Sequence, residues 1–229
     1  MFTQRTLIAL LLLVPLSLQA GELLDRIVAT VNTHAILQSD WDDEVHYECF
    51  MSGREPADVT AEQRKSALER LIDQEILREQ MRVTDLKPAG ADEIKKQIED
   101  LKNDQLREHP GQSWAMMLSR YRLTDRVVEE HVAAELEQFQ LVDLRFRPSI
   151  QISSADVENY YRERIIPKLP AAGPSSLKDA APQIREILIQ GKINQLLNSW
   201  LETLRSQAQI QMLSVGDSSD LPRSSQGTK

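Results

Sequence analysis

Residues 176–213 read SLKDAAPQIREILIQGKINQLLNSWLETLRSQAQIQML. Ser176 and Asp179 form a capping pair that opens a helix. The apolar spacing carries it to about Ser206, roughly 45 Å at about 1.5 Å per residue. Pro182 has no amide proton, so it either kinks this helix or marks its true first turn. At about 100° per residue, Leu177, Ala181, Ile184 and Leu188 share one face. Ile193, Leu196, Leu197, Trp200 and Leu204 share the opposite face, and Gln195, Asn198 and Glu202 take over the side that was apolar. One helix is therefore expected to bury two faces against two different surfaces. AQIQML then alternates as a strand does, and a strand needs a partner.

Just upstream, RIIPKLPAAGPSSLKD (164–179) holds Pro167, Pro170, Gly173 and Pro174. Prolines fix the backbone and remove donors, so residues 167–175 read as a bridge between helices.

The strand's partner is expected near the other end. RIVATVN is β-branched and AILQSDW follows a tight turn, giving a hairpin of Ile27–Val31 against Ala35–Gln38. A lone hairpin is marginal in water, so the segment Gln209–Leu213 is its natural third strand. Ser39 with Asp42 suggests a helix through about Phe50, ended by Gly53 and Pro56. Thr60 with Gln63 caps a helix to about Val83, with Leu68, Leu71, Ile72 and Ile76 on one stripe. Glu75 falls in that stripe and reads as a snorkelling edge residue before it reads as a buried functional acid. A third helix starts near Ala91. Ser113 caps a short one with Trp114, Met117, Leu118 and Tyr121. Thr124 caps another, on which Val128, Val132, Leu136 and Phe139 line one face to about Leu144. RPSIQISS reads as extended, and Ser154 opens a helix that ends before Pro167. The fold class is mainly α: a multi-helix domain with a small sheet made by an N-terminal hairpin and a C-terminal strand.

Residues 6–18, TLIALLLLVPLSL, follow Arg5 and precede the small Ala20. This pattern predicts a secretory signal peptide at 1–20 and a periplasmic location. Leu18 is bulky for its place before the cut, which leaves an uncleaved anchor as the alternative. Once the signal is removed, no stable membrane insertion is expected. The chain carries 27 basic and 35 acidic residues; losing Arg5 with the signal takes the net charge from −8 to −9. Such a chain repels phosphate backbones, so nucleic acid is not an expected partner. The single Cys49 has no internal disulfide partner and reads as a small buried apolar residue rather than a reactive thiol.

No catalytic constellation stands out. The histidines are His34, His46, His109 and His131. His46 and Cys49 have a metal-like spacing, but two ligands do not hold zinc. His131 lies on an apolar helix face with Glu135 one turn on; a satisfied core histidine is the commoner meaning of that pattern than catalysis. No catalytic residue, metal or cofactor is expected.

DRIVATVNTHAILQSDWDDEV, then ALERLIDQEILREQM, resembles the N-terminal domain of SurA-type periplasmic chaperones. The likeness runs on through LTDRVVEEHVAAELEQFQLVDLRFRPSIQISSADVENYY and resumes in APQIREILIQGKINQLLNSWLETLRSQAQIQML, covering nearly all of residues 23–213. It implies an N-terminal chaperone domain at 21–166 and a closing helix and strand at 176–213 that fold back on it. The tail 214–229 has no core-forming residues in a run and is expected to be disordered. Fuller members of the family insert parvulin-type prolyl isomerase domains where this chain has only the bridge 167–175. Such a domain needs on the order of 90–100 residues. The resemblance thus implies an ATP-independent holdase for unfolded outer-membrane or secreted polypeptides. The alternatives are a prolyl isomerase, which a prolyl-rotation assay separates, and an assembly subunit for one partner, which a stoichiometric pull-down separates. Adaptable side chains such as Met51, Met81, Met116 and Met117 suit many clients, although each also reads as core filler. Tyr121 joins Met116 and Met117 as a candidate client contact. So do Ile184, Ile187 and Leu188, on the helix half that would face the space left by a missing isomerase.

Overall fold

A computed structural model describes residues 25–168 and 176–213. The expected signal peptide, most of the Pro-rich bridge and the tail lie outside the described residues. The chain begins with strands β1 (Ile27–Val31) and β2 (His34–Leu37). Helices α1 (Gln38–Ser52), α2 (Ala61–Thr84), α3 (Ala91–Glu108), α4 (Trp114–Arg120) and α5 (Asp125–Phe146) follow. Then come α6 (Ser154–Tyr160), α7 (Leu177–Gln207) and β3 (Ile210–Met212). The protein is mainly helical, with one small antiparallel sheet built from both ends of the chain.

In that sheet β1 is central, in the order β2-β1-β3, and both pairings are antiparallel. Asn32 makes the turn possible: its φ of 52° is left-handed, a conformation that asparagine tolerates. The same residue joins the two ends of the chain. Its N–H donates to the Gln209 carbonyl at 2.8 Å, and its Oδ1 accepts the Gln209 N–H at 2.8 Å. Its Nδ2 reaches Glu79 Oε2 on α2 at 2.6 Å. Val28, Ala29, Val31 and Ile36 pack from the sheet onto Leu68, Ile72 and Ile76 of α2, with Leu204 and Ile210 against them.

Most helix starts follow their predicted caps. The Thr60, Ser113, Thr124 and Ser176 side chains accept the N–H three residues on. Two starts differ. α1 begins at Gln38, where the Asp40 carboxylate accepts the Leu37 N–H at 2.9 Å. Ser39 instead binds Asp25, its N–H donating at 3.2 Å. α6 is capped by Ser153 with Asp156, not by Ser154. The RPSIQISS segment is less extended than expected: Arg147–Ser149 form a 3-10 turn directly after α5. Helical turns also continue through Pro167, since Tyr161–Ile165 is a π-turn and Ile166–Lys168 a 3-10 turn.

α7 reverses its buried face as its pattern demands. Ile184 is buried on one side, and Leu177, Ala181 and Leu188 on the same side are half-buried. Ile193 is buried on the other, with Leu197, Trp200 and Leu204 half-buried beside it. α7 packs against α6 and the turns that follow it, and also against α2 and α5. Arg147, just past α5, donates to Glu186 at 3.0 and 2.8 Å, and Lys192 reaches the Gln151 carbonyl at 3.2 Å. Farther along, Leu197, Trp200 and Leu201 pack on Leu77, Met81 and Leu141. Trp200 meets Phe146 edge-on, with centroids 5.6 Å apart, and Arg145 lies 4.2 Å over its ring. Near the end, Arg205 bonds Asp73 at 2.5 Å and Glu69 at 2.8 Å.

Ile184 is 2% exposed, so it is core and not the floor of an open groove. α6 and the turns that follow it pack against α7, where an open groove was expected. Ile184→Ala should then cost about 2–5 kcal/mol, comparable to Trp200→Ala. Urea unfolding of both variants measures this; a loss under about 1 kcal/mol at Ile184 would mean its face is not packed.

Candidate functional site

The six residues singled out from the sequence do not form one surface. Met117 and Tyr121, 1% and 4% exposed, sit in a cluster with Val45, Phe50, Val128 and Val132. With Ile184 they are core, and a partner cannot reach them in this structure. Their helix faces are apolar because they pack inward. Met116 and Ile187 are exposed, at 61% and 42%, and Leu188 is half-buried. Of the other methionines, Met51 is exposed and Met81 is buried against Leu77. Cys49 is buried as expected, and burial raises its thiol pKa, so the thiol is held protonated and unreactive.

The accessible apolar surface lies elsewhere. Between α5 and α7 runs a groove of about 230 Å³. Its floor is Leu77 from α2, Val142 from α5, and Ile193 and Leu197 from α7. Phe139 stands on its wall and is 56% exposed. From the sequence Phe139 belongs to the buried face of Val128 and Val132. The structure corrects this: the first half of α5 packs Val128 and Val132 against Val45, Phe50 and Met117, whereas its second half buries Leu141 and Val142 and leaves Phe139 exposed. The rim is amide and acid: Gln138, Gln190 and Asn194, with Glu135 and Asp143. The groove lies where α7 changes face, so Ile193 closes its floor while Gln190 and Asn194 reach its edge. A larger hollow of about 380 Å³ lies at Cys49, but the ion pair of Arg70 with Glu48 crosses its wall. That makes it the less apolar of the two.

One and two turns before Phe139, along the same side of α5, is a largely buried polar network that the sequence signalled only through His131 and Glu135. The His131 Nδ1 lies 2.9 Å from the Val127 carbonyl, which only accepts, so this nitrogen carries a proton. The Nε2 lies 3.2 Å from Glu44 Oε2 on α1, and the ring stacks on Tyr47 at 4.1 Å. Glu44 is buried and also receives Gln74 at 3.4 Å. Both ring nitrogens are engaged, so His131 clamps α1 to α5 and has no nitrogen left to take a proton from a substrate. Burial works against its charge, but the hydrogen bonds to Glu44 and Val127 and the charges of Glu44 and Glu135 outweigh it and raise the pKa. Tyr47 donates toward Glu135, whose own pKa is raised by the protein crowding one side of it. The other side of Glu135 is open to solvent at the groove.

His34, Glu75 and Glu79 also converge, with His34 Nδ1 3.6 and 3.5 Å from the two carboxylates. Glu75 is buried, against the expectation of a snorkelling edge, because Arg78 and Arg82 neutralise it from the same helix. With both of its oxygens taken by arginines and Glu79 bound by Asn32, the set reads as an ion-pair cluster and not as an open metal centre. Among the described residues no helix is long and apolar enough to cross a membrane. No family model matches the chain, and no curated protein matches it either.

The clamp has a pH signature. A histidine whose pKa is raised on folding adds stability that is full below its unfolded value, about 6.5, and fades as pH rises through the folded value. The stability gap between the native protein and His131→Gln should be widest near about pH 5.5 and should shrink by about pH 8.5. Urea melts at both pH values measure it, and an equal gap at both would show that His131 does not bind as the cation.

Proposed function

We propose that the protein is an ATP-independent holdase of the SurA type, acting in the periplasm on unfolded outer-membrane or secreted polypeptides, and that clients enter the groove between α5 and α7. The observation that carries this reading is Phe139. A phenyl ring on the apolar stripe of a long helix, 56% exposed over an apolar floor, is surface kept free for another chain. The groove's size fits the same use. At about 230 Å³ it is smaller than the roughly 300–1,000 Å³ of enclosed small-molecule sites, and it holds one or two apolar side chains of an extended segment. The amides of Gln138, Gln190 and Asn194 can hydrogen-bond the client's main chain, which is the same whatever its sequence. The acidic net charge favours solubility of a loaded complex. The resemblance to the chaperone domain supports the reading independently. So does the bridge: only seven residues, 169–175, separate the two described stretches, far too few for an isomerase domain.

Light scattering of a chemically denatured client, diluted with and without the protein, tests the proposal. The native protein should suppress aggregation. Phe139→Ala should lose at least half of that suppression while its stability changes by no more than about 0.5 kcal/mol, as expected at an exposed site. Full suppression by the variant would place the client elsewhere, and none by the native protein would end the holdase reading.

A further inference from the structure

The groove has a charge pattern that its holdase role does not require. Its charged rim groups are two acids, Glu135 and Asp143. Asp143 is already satisfied, because Arg147 binds it while also holding Glu186. Glu135 is different. It has no ion pair among the described residues, its hydrogen-bond partner is the neutral Tyr47 hydroxyl, and it opens to solvent at the groove. Glu44 and His131 lie behind it and pair with each other; Arg70 also lies 3.8 Å from Glu44, and the His131 charge reaches Glu135 without forming an ion pair with it.

We infer that Glu135 is a specificity residue: the groove takes extended segments that carry a lysine or arginine beside an apolar anchor, and disfavours those with an acid there. The inference rests on the proposed holdase reading. Glu135 and Phe139 are four residues apart on α5, so they stand on one face about 6 Å apart along the axis. In an extended chain, side chains two residues apart share a side and lie about 6.6 Å apart. A segment with an apolar residue against Phe139 and the groove floor therefore brings the side chain two positions away to Glu135. A basic side chain there meets a carboxylate held in place by Tyr47; an acidic one meets like charge beside a desolvating apolar floor. The basic stem can also lie along apolar surface while its head reaches the acid.

Three labelled peptides test this, identical except for lysine, glutamine or glutamate two positions from the apolar anchor. Fluorescence anisotropy with the whole protein should rank them lysine, glutamine, glutamate, with the first about three- to tenfold tighter than the last at low salt. The gap should narrow at high salt. Glu135→Gln, which keeps a partner for Tyr47, should erase the gap. Glu135→Lys should reverse the order. Glu99→Gln, an exposed acid on α3, should leave the gap intact and so separate a local effect from the general acidic charge. Equal binding of all three peptides, or a gap that survives Glu135→Gln, overturns the inference while leaving the groove as a binding site. Failure of every peptide to bind overturns both this inference and the holdase reading.

Discussion

A helix whose apolar stripe lies on opposite sides at its two ends can be buried only by two separate bodies, and α7 is such a helix. That constraint orders the rest of the structure. Ile184 requires cover on one side, which α6 and the turns after it supply. Ile193, Leu197 and Trp200 require it on the other, which α2 and α5 supply. The reversal cannot be abrupt, because each residue turns the helix by about 100°. Between Leu188 and Ile193 neither side is fully packed, and the groove opens there. The fold's assembly rule and its accessible surface are two results of one pattern.

Closure of the chain depends on how the end of α7 is fixed. Arg205 binds Asp73 and Glu69 on α2, and four residues later Gln209 exchanges two hydrogen bonds with Asn32. The second contact is a side-chain mimic of a strand pair, since Asn32 uses its amide oxygen where a strand would use a carbonyl. A short strand such as β3, Ile210–Met212, gains little from its own ladder. Its register is set from outside, by a charged clamp before it and an asparagine beside it. The hairpin gains in return a third strand over α2, without which its apolar face would have an open edge.

Local chemistry explains what the sequence made legible. Caps at Thr60, Ser113, Thr124 and Ser176 were readable because each is a hydrogen bond closed within three residues. The hairpin and its third strand were readable from alternation, and the face reversal of α7 from simple rotation. What failed was reach. Periodicity shows that Ile184 and Phe139 lie on apolar faces, but not where the covering helices end. Ile184 proved covered and Phe139 uncovered for reasons set by other elements. Glu75 shows the same limit in charge: an acid in an apolar stripe looks like an edge until Arg78 and Arg82 fold back over it. No one-dimensional signal named Leu77 or Val142 as groove floor, because each also reads as ordinary core.

α5 is the element on which structure and proposed function meet. One side of it carries His131, tied to Glu44 and stacked on Tyr47; the next turn carries Glu135, which Tyr47 also holds; the turn after that carries Phe139. Tyr47 thus touches the clamp with its ring and the groove acid with its hydroxyl. Burial raises the pKa of Glu135, while the Tyr47 phenol and the His131 charge pull against that rise; the phenol keeps its own proton, since Tyr47 is shifted upward by desolvation and by the nearby carboxylates. The rim therefore presents an acid that faces a neutral phenol on its inner side and solvent on its outer side. A mobile carboxylate would lose rotamer entropy on meeting a client's cation. One already held by a buried tyrosine loses less, so the discrimination assigned to Glu135 follows from the same α1–α5 packing that stabilises the domain.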